Sequence, residues 1–280
     1  MKTDTRAEDV AVAEDYYDSD DADRFYFNIW GGEDIHIGLY ESSDEAIATA
    51  SRRTVETMTK MMGPAGKAAR IADLGAGYGG SARYLVREAG AREVVCVNIS
   101  ETQNRINREK NEAAGLSDRI DVLHGSFDDV PARDEAFDIV WSQDSFLHGA
   151  DRERIIVECE RILKPGGRLI FTDILQTANA PADKLQPIFD RIHLSSLGSI
   201  DFYDQAASGA GLVPGPRKEL AEMLPAHYGR VREELISRRE ELKGLVSDDY
   251  ADRMIEGLGA WVDGGKSGWL SWGILTYDKP

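Results

Sequence analysis

Ile71-Ala-Asp-Leu-Gly-Ala-Gly-Tyr-Gly-Gly80 decides the fold of this 280-residue chain. A short apolar run ends in Asp73, glycine stands at 75, 77 and 79, and a helical pattern follows. That order reads as strand, tight turn and helix N-terminus. Glycine supplies the unusual backbone angles of such a turn and lets a ligand approach the main chain. The helix start offers unpaired N–H groups to a polar partner. A glycine-rich turn after a first strand marks a nucleotide-sized site in an α/β protein.

Working outward, apolar β-branched runs alternate with helical patterns from about 69 to 174. Strands are expected at 69–74, 93–99, 120–123, 137–142 and 168–173, with helices at 79–89, 101–114 and 152–163 between them. Such alternation predicts a mainly parallel sheet covered on both faces. Lys164-Pro-Gly-Gly167 reads as a helix stop and a turn into the next strand. An aromatic segment (Tyr16, Tyr17, Phe25, Tyr26, Phe27, Trp30) and a helix over 43–62 precede this core. Helices over 183–195, 200–209, 222–246 and 248–262 and a closing strand over 269–277 follow it. Ligands of open α/β sheets sit at the carboxyl ends of the strands, so extra helices there predict a lid.

Apolar residues make up 42% of the chain, ample for a core, and 50 acidic residues face 33 basic ones for a net charge of −17. That balance argues against nucleic acid and anionic membranes as partners, since both need a basic footprint. Only 10 of the basic residues are lysine. An acid-rich, lysine-poor surface suits saline cytoplasm, and an ordinary acidic enzyme of an arginine-preferring proteome fits equally. Cys96 and Cys159 lie in apolar runs and read as reduced core residues. The acidic N-terminus lacks a signal-like apolar region, so a cytoplasmic protein is expected. No group of side chains has metal-ligand spacing, and no metal is expected.

A dinucleotide site would carry G-x-G-x-x-G and an acidic residue closing the second strand. Here the spacing is Asp73-x-Gly75-x-Gly77-x-Gly79, and the second strand, Val94-Val-Cys-Val-Asn98, closes on asparagine. Downstream stand His124-Gly-Ser-Phe127, Trp141-Ser-Gln-Asp-Ser-Phe-Leu-His148 and Lys164-Pro-Gly-Gly167. Together these resemble the class I S-adenosylmethionine-dependent methyltransferases over about 60–175. Asn98 departs from the acidic residue most relatives use for the ribose, though its amide offers an acceptor and a donor. The departure is similar to the small-molecule amine methyltransferases of the glycine-betaine pathway and their phosphobase relatives.

Resemblance to the sarcosine/dimethylglycine N-methyltransferases extends over most of the chain. It is carried by Tyr16-Tyr-Asp-Ser-Asp-Asp21, Phe25-Tyr-Phe-Asn-Ile-Trp-Gly-Gly32, His36-Ile-Gly-Leu-Tyr40, Trp141 to His148, Asp190-Arg-Ile-His-Leu194, His227-Tyr228 and Leu270-Ser-Trp-Gly273. It implies an α/β, Rossmann-like class I methyltransferase fold: a mostly parallel seven-stranded sheet, an N-terminal lid segment (1–65) and a core (66–280) with inserted helices at about 180–265. The implied activity is methylation of the amine of sarcosine or dimethylglycine by S-adenosylmethionine, giving dimethylglycine and glycine betaine, a compatible solute. The acceptor is then a small amino acid, and a homo-oligomer is compatible with this reading.

The phosphobase methyltransferases pair a lid tyrosine with a histidine after the fourth strand, and resemblance to them implies that Tyr26 closes over the substrate and His148 orients it or accepts its proton. Trp30, Arg191, His227 and Tyr228 complete the substrate side, with Arg24 a competitor of Arg191 for the carboxylate and Trp272 a further wall. On the cofactor side Asp73, Gly75, Gly77 and Gly79 face the methionine end, Asn98 and Gln103 the ribose, and Ser126 and Phe127 the adenine. Gln143 and Asp144 belong to the same side, Asp144 near the amino group or the transfer centre. Each has a plainer reading: turn carboxylate for Asp73, core packing for Phe127, solvent-facing helix for Gln103, helix start for His148 and His227. A phosphobase methyltransferase, a cyclopropane-lipid synthase and a non-catalytic S-adenosylmethionine-binding protein remain as alternatives.

Overall fold

A computed structural model describes residues 25–30, 32–191, 194 and 196–280. Tyr16, Tyr17, Arg24 and His193 lie outside these described residues, as does the side chain of Arg191. The helices are α1 (Ile47–Met62), α2 (Gly80–Arg87), α3 (Glu101–Ala113), α4 (Arg152–Ile162), α5 (Ala182–Arg191), α6 (Ile200–Gly209), α7 (Met223–Ser237) and α8 (Asp248–Lys266). The strands are β1 (Arg70–Leu74), β2 (Glu93–Asn98), β3 (Ile120–His124), β4 (Phe137–Gln143), β5 (Leu163–Gln176), β6 (Val213–Pro214), β7 (Lys218–Glu219) and β8 (Leu270–Asp278).

The sheet runs β3-β2-β1-β4-β5-β8-β6, with β7 also paired to β8. Strands β1 to β5 are parallel, and β8 returns antiparallel beside β5. Strand side chains alternate between faces, and that alternation builds two layers. Ile71, Val94, Cys96, Ile139 and Ile170 pack toward α1 and α2 (Val55, Met58, Leu85). Ala72, Val95, Val97, Val140 and Phe171 pack toward α4 and α6 (Ile155, Ile156, Tyr203). A third apolar body joins the turn Tyr26–Trp30 to α5, α7 and α8 through Trp30, Ile188, Tyr228 and Trp261. The expected lid is therefore a core of its own over the sheet's carboxyl edge.

Three expectations need correction. The sheet has eight strands rather than seven: β6 and β7 are two-residue, solvent-exposed pairings on β8, too short to show any period. The helix expected over 222–246 ends at Ser237. There Arg238 and Arg239 are drawn into ion pairs with Glu241, Asp248 and Asp252, while Leu242 and Val246 turn inward. Lys164-Pro-Gly-Gly167 does stop α4, but the turn bulges out of β5 itself, the β4 partner moving from Leu163 to Arg168. Both cysteines are reduced and buried.

The segment 33–40 crosses the carboxyl edge of the sheet and is pinned against α1. A Cβ at Gly38 would lie 2.6 Å from the Ala50 Cβ and 2.8 Å from the Ser51 nitrogen. Backbone cannot yield there as a side-chain tip would. Gly38→Ala is expected to cost about 1–3 kcal/mol, read as a lower midpoint in thermal unfolding; an unchanged midpoint would contradict this packing.

Candidate active site

Strand order reverses between β1 and β4, so the loops leaving their carboxyl ends run to opposite sides of the sheet. Into the crevice between those loops opens a cavity of about 890 Å³ lined by residues following β1, β2, β3 and β4. Gly75 begins the turn with φ +75°, and a Cβ on it would stand 2.3 Å from the Ser145 Oγ. Only glycine satisfies both the angle and the approach. Gly75 N–H donates to Val97 O at 2.8 Å, which draws the turn over β2. Gly77 lines the cavity as Gly75 does, and Gly79 caps α2.

At the end of β2, Asn98 donates its side-chain amide to Gln103 Oε1 at 3.0 Å. Both are buried and both line the cavity. The Ser100 hydroxyl caps α3 through Gln103 N–H at 3.1 Å, so Gln103 is fixed at a helix start rather than turned to solvent. Across the cavity the Ser126 hydroxyl donates to Asp128 Oδ1 at 2.5 Å. Phe127 packs edge-on to Phe146 with ring centres 5.8 Å apart.

A hollow of about 320 Å³ continues the crevice past Asp73, Gly77, Ser81 and Gln143. Gln143 Oε1 accepts from the Ser81 hydroxyl at 2.5 Å and Trp141 Nε1 at 3.1 Å. Among the described residues, Gln143 Nε2 and Asp73 Oδ2 are buried without hydrogen-bond partners. Burial, with the charge of Asp34 behind it, pushes the Asp73 carboxyl up to about 7. This end of the crevice thus offers an uncompensated acceptor and an unused donor.

A second cavity, about 640 Å³, lies between the Tyr26–Trp30 turn and α8. Tyr26, Trp30, Tyr228 and Trp261 form its aromatic walls, with Met254 and Leu258 beside them. The Trp30 ring stands 5.3 Å from Tyr26 and 5.7 Å from Tyr228, which stacks on Trp261 at 5.4 Å. No arginine or lysine lines this cavity among the described residues.

The two cavities share Ile35, Asp144 and His148. Asp144 has φ +47° and accepts hydrogen bonds at 2.7 Å from both Ile37 N–H and Trp272 Nε1. Burial raises its carboxyl, while His36 and these donors pull the other way. His148 ends the single turn Phe146–His148, and its imidazole is pushed down to about 4 by burial and by the charge of Arg152. Asp151 caps α4, so His148 does not.

The structure gathers Tyr26, Trp30, Tyr228 and His148 about the second cavity. It gathers Gly75, Gly77, Asn98, Gln103, Ser126, Phe127, Gln143 and Asp144 about the first, with Asp73 in the adjoining hollow. His227 is placed elsewhere. It is fully buried behind Trp30, its Nδ1 accepting from Gly38 N–H at 3.2 Å and meeting the Tyr40 hydroxyl at 2.9 Å. Trp272 likewise anchors Asp144 from below instead of facing the cavity. Ile35, Asp128, Met254, Leu258 and Trp261 line the cavities without having been singled out, and His36, which the sequence marks only as the start of a motif, lines the second. The spacing 254, 258 and 261 reads as an ordinary helical core stripe, and the pair Asp128-Asp129 was the one legible sign near Ser126.

Residues 72–171 match the methyltransferase domain family. Along 98% of its length the chain is 49% identical to the sarcosine/dimethylglycine N-methyltransferase of Halorhodospira halochloris, covering 99% of that protein. The chain belongs to the sarcosine/dimethylglycine N-methyltransferase family. A crystal structure from Galdieria sulphuraria described as a sarcosine dimethylglycine methyltransferase superposes with TM-score 0.89 at 43% identity, covering 94% of this chain and 98% of that one. Phosphoethanolamine N-methyltransferase 2 of Haemonchus contortus, solved with S-adenosylhomocysteine, shares the fold alone: TM-score 0.83 at 19% identity, over 96% of this chain and 60% of that one. No helix among this chain's described residues is long and apolar enough to cross a membrane, and none of their His, Cys, Asp and Glu groupings could hold a metal ion.

Proposed function

We propose that this enzyme methylates the amine of sarcosine and of dimethylglycine in the second cavity, producing dimethylglycine and glycine betaine. The observation that carries the reading is the aromatic cavity whose wall is shared with the glycine-turn crevice at Ile35, Asp144 and His148. A cofactor in one cavity and an amine in the other meet at that wall. Tyr26, Trp30, Tyr228 and Trp261 line the space offered to a nitrogen that becomes a permanent cation. Each cation–ring contact is worth about 0.5–2 kcal/mol once water is excluded.

The crevice fits S-adenosylmethionine, which when bound supplies an electrophilic methyl carbon on a sulfonium. Asp73 Oδ2, buried without a partner, suits its ammonium, and Gln143 Nε2 suits its carboxylate. The bare Cα of Gly75 leaves room that a side chain would fill. The Asn98–Gln103 pair faces the ribose hydroxyls, and Asp128, held by Ser126, joins Phe127 beside the adenine. On the acceptor side Tyr26 closes over the amine and His148 orients it, while Arg191, the carboxylate's partner in the sequence reading, has its side chain outside the described residues. Most of the rate enhancement then comes from holding two reactants in line in a dry site.

Purified protein and a donor carrying a labelled methyl should be offered glycine, sarcosine, dimethylglycine and phosphoethanolamine separately. Label is expected on sarcosine and dimethylglycine. Transfer to phosphoethanolamine instead, with neither amino acid labelled, would sink the reading.

A further inference from the structure

Two histidines border the aromatic cavity, and their surroundings carry opposite charge. Behind His148 stands Arg152, whose guanidinium bonds Leu147 O at 2.7 Å. A neighbouring cation opposes any proton that His148 would accept. His36 lines both the aromatic cavity and the hollow beside Asp73, and it is only 5% exposed. Its nearest charges are carboxylates. Asp34 Oδ1 lies 4.0 Å from His36 Nε2, and Asp144, on the shared wall, interacts with it electrostatically.

The tautomer follows from geometry. His36 Nδ1 lies 3.3 Å from Ile37 O, and a carbonyl oxygen only accepts, so Nδ1 carries the hydrogen. Nε2 therefore presents its lone pair, and among the described residues it is buried with no hydrogen-bond partner. The residue is held in place: Ser51 Oγ donates to His36 O at 2.9 Å, and the flanking Ile37 N–H is tied to Asp144. Asp34 is braced from outside by Arg52 at 2.7 Å, and Arg52 is about one-third exposed.

We propose that His36 Nε2 accepts the ammonium proton of the substrate, with Asp34 as counter-ion to the imidazolium so formed. The proposal rests on the amine-methylation reading above, because sarcosine and dimethylglycine are protonated in neutral water and carry no free lone pair. In the step, one N–H bond of the substrate breaks, its electron pair stays on the amine nitrogen, and an N–H bond forms at Nε2. The nitrogen can then attack a methyl group, and the proton returns to solvent when the site reopens. Asp34, Asp144, Asp73 and Glu33 are the acidic groups facing His36 or the hollow it lines. His227, opposed by His36, and Arg52 behind Asp34 are the basic ones.

The test compares wild type with His36→Gln, which still fills the site but cannot take a proton. With dimethylglycine at pH 7, kcat is expected to fall about a hundredfold, the size of a lost general base. The deficit should shrink about tenfold per pH unit as solvent supplies free amine, because a base is needed only for the protonated substrate. Affinity for S-adenosylhomocysteine by calorimetry should stay within threefold. Independently of turnover, ¹⁵N–¹H NMR of the His36 ring in the ligand-free enzyme should find the hydrogen on Nδ1 and an unprotonated Nε2. A deficit equal at every pH, loss of S-adenosylhomocysteine binding in step with activity, or a ring hydrogen found on Nε2 would overturn the proposal. Wild type inactive on both amino acids would strike the substrate reading instead, and the ring tautomer would still decide whether Nε2 is free to accept a proton.

Discussion

Asp73→Asn is expected to make the ligand-free enzyme more stable above pH 7 and to weaken S-adenosylhomocysteine binding about a hundredfold. The folded carboxyl titrates near 7 against an ordinary value of 3.8, because it is buried and faces Asp34. Between those values the folded state holds a proton that the unfolded state has released, so stability falls as pH rises through the window. The penalty is absent below about pH 4, complete above about pH 7, and accumulates at up to about 1.4 kcal/mol per unit. Asparagine removes the charge and with it the penalty; a gain of about 4 kcal/mol above pH 7 would raise the midpoint by several degrees. The same charge is what a bound ammonium needs, and removing a charged hydrogen-bond partner costs about 1.5–3 kcal/mol. Thermal unfolding at pH 5 and pH 8, with calorimetry on both proteins, reads both effects. Equal midpoints and equal affinities would place the cofactor's amine elsewhere.

Asp144→Ala is the second large effect, in the opposite direction for stability. One carboxylate there satisfies Ile37 N–H from the segment over the sheet and Trp272 Nε1 from β8, each at 2.7 Å. Alanine strands both donors, each in a setting where an unmet hydrogen bond costs about 1–3 kcal/mol. It must also hold φ +47°, which aspartate tolerates better than alanine. A combined loss of about 3–5 kcal/mol should lower the midpoint by roughly 10 °C. Because Ile37 is next to His36 and Asp144 forms part of the shared wall, kcat should fall more than a hundredfold, the scale expected when reacting groups lose alignment. Asp144→Asn keeps one accepting oxygen and should lose about half as much stability. An alanine variant as stable as wild type would show that the wall is held by other contacts.

The parallel sheet and the glycine turn were legible because strand alternation and turn chemistry are local signals, and β1 to β5 fall where their apolar runs stand. β6 and β7 were not, since two-residue strands have no period and exist only because β8 lies beside them. The same distinction divides the candidate site. Asn98 and Gln143 end strands of the sheet and Gly75 directly follows one, so their convergence follows from topology. His36 sits in an irregular segment whose position depends on distant partners, Asp144 for Ile37 and His227 for Gly38. No pattern around residue 36 encodes that. His227 drew attention as a histidine beside a tyrosine, and its distant pairing with Gly38 is what takes it behind Trp30. Met254, Leu258 and Trp261 looked like core because on α8 they are core on one side and cavity on the other.

The most direct measurement follows dimethylglycine and a donor bearing a ¹³C-methyl group by NMR in the presence of the purified enzyme. One labelled methyl is expected per molecule of glycine betaine formed, with S-adenosylhomocysteine appearing in equal amount. Donor consumed without labelled betaine from dimethylglycine, and without labelled dimethylglycine from sarcosine, would contradict the proposed activity.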